Sequence, residues 1–132
     1  MAKKLDELPL YGRVTEFGVA VTEILDSPGL RKDWNLRRQL ADATASIAAN
    51  IEEGFEQGTD RAFARYVTIA KGSLGEVIGH LKRAQREGRL GAAEVEALVS
   101  KALELGRMCG GFIKYLHRCD WRDRGRYTIP DP

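Results

Sequence analysis

Apolar positions recur along most of the chain at spacings of three and four residues, and the pattern appears in four separate stretches. In the first, Val14, Phe17, Val21 and Ile24 fall on one face of a helix. Pro9 suits a first helical turn and Ser27-Pro28-Gly29 is a stop, so a helix over about 9–26 is predicted. The second stripe, Leu36, Leu40, Ala43, Ile47, Asn50 and Gly54, predicts a helix over about 33–57 with Asp33 or Asn35 as its cap. Gly58 ends it and Thr59 can cap the next. That third helix, about 60–87, carries Phe63, Val67, Ala70, Leu74, Val77, Leu81 and Ala84. Past Gly88 to Gly91, a fourth over about 92–117 carries Val95, Leu98, Ala102, Leu105, Cys109, Phe112 and Leu116.

Regular alternation of three and four on several helices is the packing pattern of a bundle with shallow left-handed crossing. Short connections make consecutive helices antiparallel neighbours. The expected architecture is therefore all-α, an up-down-up-down left-handed four-helix bundle over residues 1–118. Residues 119–132 have no helical period. They place Trp121, Tyr127 and Ile129 among arginines and aspartates, a tail that docks on the bundle or a neighbour, or stays mobile. No proline stands between Pro28 and Pro130, which favours helix over sheet.

Composition narrows the function classes. The 132 residues suit one domain. Twenty-one basic against nineteen acidic residues is too balanced for a histone-like or acidic-tail protein. No apolar run approaches the ~18 residues of a membrane span, and Met1 to Leu10 lacks the apolar core of a signal peptide. Cys109 and Cys119 make no disulfide framework. A cytoplasmic protein without a membrane partner is expected.

Catalytic chemistry finds little footing. Di-iron bundles use Glu-x-x-His pairs, but Val77 and Lys114 stand three residues before His80 and His117. Glu76 and His80 at i, i+4 could hold a metal or small ligand with Glu53, or serve an enzyme, which is the alternative reading; the plainer one is a hydrogen-bonded pair. Phosphate loops, dinucleotide fingerprints and nucleophile elbows are all missing. We expect no enzyme activity, no metal and no cofactor.

Two features remain. Asn50 lies on the stripe of the second helix, and an unpaired buried amide costs ~1–3 kcal/mol. Ser73, Glu76 and His80 on the third helix project beside the core stripe. A polar core network of Asn50, Glu53, Ser73, Glu76 and His80 would fix helix register, or form a ligand site. The second feature is glycine, fourteen in the chain against a usual ~7%. Gly72, Gly75 and Gly79 project at about 0°, 300° and 340° on a wheel whose core stripe centres near about 180°. They face away from the core, and each costs ~1 kcal/mol relative to Ala. Helix four has Gly106, Gly110 and Gly111. Arg61, Arg65, Arg83 and Arg86 flank the third helix's glycines. This face reads as a subunit interface, a surface against phosphate backbone, or a solvated basic face.

Ser46-Ile47-Ala48-Ala49-Asn50-Ile51-Glu52-Glu53-Gly54-Phe55 and Phe63-x-Arg65-Tyr66-x-x-Ile69-Ala70-x-Gly72-Ser73-Leu74-x-Glu76 resemble, in order and separation, two motifs of a known family. These are the small four-helix-bundle proteins encoded in intervening sequences of bacterial 23S ribosomal RNA genes. The resemblance runs from about Leu8 to Leu116. It implies a cytosolic bundle that assembles as a ring-shaped homopentamer of unsettled role, with a link to RNA. With the glycine face and the basic third helix, the expectation is an oligomeric scaffold or nucleic-acid-associated accessory protein. The accessory proteins of diversity-generating retroelements are similar in fold. The chain departs from the pattern at Ala48, where the family has proline, and at Glu52, where it has alanine. Ala41 and Asp42 replace two usual arginines, and Arg37 and Arg38, one turn earlier, compensate in part for contacts to nucleic acid.

Overall fold

A computed structural model describes residues 4–119; the tail from 120 onward lies outside the described residues. A 3-10 turn, Leu5–Glu7, leads into α1 (Pro9–Leu25). A one-turn helix, α2 (Pro28–Arg31), follows, and then come α3 (Trp34–Glu56), α4 (Asp60–Arg86) and α5 (Ala92–Arg118). Among the described residues there is no strand.

The ends of the helices follow from local chemistry. Leu36 N donates to Asp33 Oδ1 at 3.1 Å, so Asp33 rather than Asn35 caps α3. Ala62 N donates to Thr59 Oγ1 at 3.1 Å. Gly58 and Gly88 take φ of 81° and 73°, a left-handed conformation that only glycine adopts without strain. Ser27-Pro28-Gly29 does stop α1, but Pro28 then occupies the first turn of α2, where a missing N–H costs nothing.

The four long helices stand in the order α1, α3, α4, α5 around the bundle, each packed on the next and α5 back on α1. Two faces are consequently opposite: α1 with α3 on one side, α4 with α5 on the other. The whole α4 stripe, Phe63 through Ala84, is buried. On α5 all stripe residues are buried except Phe112, which is half-buried. The α3 stripe differs from its sequence reading. Ile51 is 0% exposed and takes the core position, whereas Asn50 is half-buried on the flank toward α4. Gly54 is buried, and a Cβ there would stand 2.8 Å from Tyr66 Cβ and 2.9 Å from Phe63 Cδ1. Its lack of a side chain lets α3 approach α4.

Polar ties hold α1 to α3. Arg37 Nε donates to Leu25 O at 3.0 Å and Nη2 to Asp26 Oδ1 at 3.2 Å. Tyr11 OH donates to Glu52 Oε2 at 2.6 Å, and that bond pushes the phenol up to about 12.

Candidate functional site

The polar residues singled out from sequence do not all meet. Ser46 Oγ and Ser73 Oγ are 2.9 Å apart and join α3 to α4. Asn50 Nδ2 donates to Ser46 O at 2.8 Å and to Ser46 Oγ at 3.0 Å. The network is thus Asn50–Ser46–Ser73, and Ser46 is the member the sequence reading missed; its signal was the i, i+4 pairing with Asn50. Only Ser73 is in the core, at 4% exposure. Glu53 is exposed and accepts from Gln57 Nε2 at 2.9 Å. Glu76 is exposed and His80 half-buried, and no hydrogen bond joins either to Asn50. Glu76 on α4 is thus turned to water. Glu53, Glu76 and His80 are not brought together: among the described residues no three His, Cys, Asp or Glu side chains converge as metal ligands.

The six arginines divide into two groups. Arg61 and Arg65 sit on the first turns of α4, and Arg83 and Arg86 on its last, about 30 Å away along the axis. Arg37 and Arg38 belong to the second group, since Arg83 Nη1 donates to Gln39 Oε1 at 3.3 Å. Carboxylates face Arg37, Arg38 and Arg83: Arg37–Asp26 at 3.2 Å, Arg38–Asp42 at 3.8 Å and Arg83–Glu87 at 2.7 Å. Arg38 also lies over the Trp34 ring at 5.5 Å, and Arg65 over the Tyr66 ring at 5.6 Å. Exposed pairs of this kind are worth ~0–1 kcal/mol. They do not lock the arginines, but they reduce the net charge offered to a phosphate backbone.

The glycines form the most developed surface feature. Gly72, Gly75 and Gly79 are exposed, and a Cβ on any of them would meet nothing within 4 Å. The fold of a single chain therefore does not require glycine there. Gly75 opens onto a groove of about 610 Å³ between α4 and α5, where it joins Leu74, Ile78, Leu103, Gly106 and Gly110. Gly72 and Gly79 lie outside this lining, farther round the outer face of α4. Two glycine sets that look independent in sequence, one on each helix, share one groove because α4 and α5 are antiparallel neighbours. Lys71, Arg107 and Lys114 edge it, and no carboxylate lines it. Leu103 on its wall is 50% exposed. Cys109 lies at 0% exposure on the core side of α5, and burial pushes its thiol up to about 11, which leaves it an unreactive core residue.

A family model described as 23S rRNA-intervening sequence protein matches residues 6–111. A crystal structure titled as a protein with unknown function from the S23 ribosomal protein family of Bacteroides thetaiotaomicron is similar to the chain with a TM-score of 0.73. The two are 20% identical over 80% of this chain and 98% of that one. At that identity the likeness speaks for the fold alone. No curated protein matches. Among the described residues no helix is long and apolar enough to cross a membrane.

Proposed function

The chain belongs to the 23S rRNA-intervening sequence protein family, and from that premise we propose that it is a non-enzymatic bundle whose work is done by self-association, as an oligomeric scaffold in the cytoplasm. The observation that carries this reading is the glycine-floored groove. Glycine inside a helix costs ~1 kcal/mol relative to Ala, and Gly75, Gly106 and Gly111 have nothing within 4 Å where a Cβ would stand. A sequence that keeps such residues on two adjacent helices leaves room for another backbone to approach closely. A homopentamer is the stoichiometry that the resemblance implies. The two free thiols suit a reducing compartment.

The test is Gly75→Leu. The added side chain points into open space in the single chain, so helix content by circular dichroism is expected to stay unchanged. In light scattering the wild type is expected at a multiple of 14.7 kDa, and the variant at 14.7 kDa itself. A monomeric wild type, or a variant of undiminished mass, removes the reading.

A second reading, an accessory role toward nucleic acid, is favoured by Lys71, Arg107 and Lys114, which no carboxylate neutralises within the groove. Three phosphate contacts predict that affinity for a double-stranded RNA falls about 40-fold between 50 and 200 mM salt. Filter binding across that range measures it. Absence of binding at low salt, where phosphate contacts are strongest, leaves the scaffold alone.

A further inference from the structure

We propose that the groove between α1 and α3 is a docking site for a helix of another protein, one with an apolar stripe flanked by lysine or arginine. It lies on the side of the bundle opposite the α4–α5 groove, so it stands apart from the self-association argued above. Its volume is about 550 Å³. Small residues make its floor: Gly18 on α1, and Ala41, Ala45 and Ala48 at spacings of four and three on α3. A Cβ on Gly18 would meet nothing within 4 Å, and Val19 stands beside it at 60% exposure. Polar ties bound the trough at both ends. Tyr11 OH donates to Glu52 Oε2 at one end, and Arg37 donates to Leu25 O and Asp26 Oδ1 at the other. Arg37 and Glu52 are fifteen residues apart, or ~22 Å along α3, which is about four turns of a docked helix.

The side-chain hydrogen-bonding groups of the trough are all acceptors. Thr15, Thr22 and Thr44 turn their hydroxyl protons back to Gly12 O, Gly18 O and Leu40 O, at 2.8, 2.8 and 2.7 Å. The other polar side chains of the lining are Glu23 and Asp26, and no lining side chain carries an N–H. An extended segment laid here would find no donor for its carbonyls, and an unmet backbone group costs ~1–3 kcal/mol. A helix satisfies its own backbone. Its apolar stripe fits the small-residue floor, ridge into groove, and donors on its flanks meet Glu23 and Asp26. Charge agrees beyond the rim. Helices α1 and α3 carry six acidic and three basic residues. The three, Arg13, Arg37 and Arg38, already face Glu104, Asp26 and Asp42. A basic flank is therefore drawn in and an acidic one repelled. A second copy of this chain fits less well, because its α4–α5 surface is itself a trough, and two concave faces leave each floor unfilled.

A peptide experiment tests the site. The probe is a fluorescein-labelled peptide of ~18 residues, long enough to be helical in water, with a stripe of leucine and alanine flanked by lysines. Its twin has glutamates in place of the lysines. By fluorescence anisotropy against the full chain, the lysine peptide is expected to bind saturably, at least about tenfold more tightly than its twin. Gly18→Leu fills the trough without changing its charge. It is expected to weaken the lysine peptide about tenfold with helix content unchanged. Gly75→Leu, on the other side of the bundle, is expected to bind as the wild type does. Should Gly18→Leu lose helix content, Glu23→Lys replaces it, and is expected to weaken the lysine peptide and strengthen its twin. A lysine peptide that does not bind, that binds no better than its twin, or that binds Gly18→Leu as well as the wild type overturns the site. So does a Gly18→Leu variant whose mass in light scattering falls below that of the wild type, because the occupant is then a second copy. A wild type at the mass of one chain removes the scaffold reading alone and leaves this one standing.

Discussion

Phe63→Ala is expected to lower the unfolding free energy by about 4 kcal/mol, the largest single effect we anticipate on the fold. Phe63 is 0% exposed. Its ring stands edge-on to Phe55 at 6.2 Å and to Phe112 at 5.2 Å, so it joins the end of α3, the start of α4 and the end of α5. Truncation loses the transfer energy of the ring and its edge-on contacts with Phe55 and Phe112. It also opens a cavity between α3 and α4, because Gly54 already lets the α3 backbone lie against this side chain. Domains of this size are stable by only ~5–15 kcal/mol, so the variant gives up a large share. Urea unfolding measures it. The measurement belongs in the Gly75→Leu background, where the proposed association is expected to add no concentration-dependent contribution to apparent stability. A loss below about 1 kcal/mol would show that this joint is not the core we describe.

The same region shows what was legible in the sequence and what was not. Phe63, Val67, Ala70 and the rest of the α4 stripe are readable because α4 is packed on both α3 and α5, so its buried arc is wide and its spacing regular. Helix α3 misleads by one residue at Asn50. Its buried arc drifts from Ile47 to Ile51 and then to Gly54 and Phe55, and a linear stripe cannot tell a flank from a centre. Glu53, Glu76 and His80 match a ligand spacing on paper, but spacing along one helix does not say whether a long polar side chain turns inward or to solvent. The outward direction of Gly72, Gly75 and Gly79 follows from the wheel. The groove does not, because it needs the pairing of α4 with α5. A second groove, of about 550 Å³ between α1 and α3, had no local signal, since Gly18, Ala41, Ala45 and Ala48 are ordinary helical residues until the two helices are set side by side.

Glycines that look alike in sequence are expected to separate sharply under substitution, and Gly29→Ala is the second large effect. Gly29 reads as a turn residue beside Pro28, yet it lies within α2 and has no positive φ, so backbone freedom is not its purpose. By propensity alone, alanine would be favoured there by ~1 kcal/mol. The surroundings reverse the sign. A Cβ on Gly29 would overlap the carbonyl oxygen of Arg89 and stand 2.7 Å from its carbonyl carbon. That backbone cannot easily retreat: Arg89 N and Leu90 N both donate to Ala84 O, at 2.8 and 3.3 Å. Leu30 and Leu90, at 0% and 7% exposure, hold the two segments into the core from either side. Overpacking of this kind costs about 1–3 kcal/mol, and contact with main chain rather than a movable side chain places Gly29→Ala at the upper end. Gly88→Ala is the control. Its φ is 73° and nothing lies within 4 Å of its Cβ position, so only the left-handed backbone opposes alanine, at about 1 kcal/mol. Thermal melts of the two variants in one background should therefore rank Gly29→Ala below Gly88→Ala. The reverse order would mean that α2 yields freely, and that the end of the bundle formed by α2 and the α4–α5 connection is loosely packed.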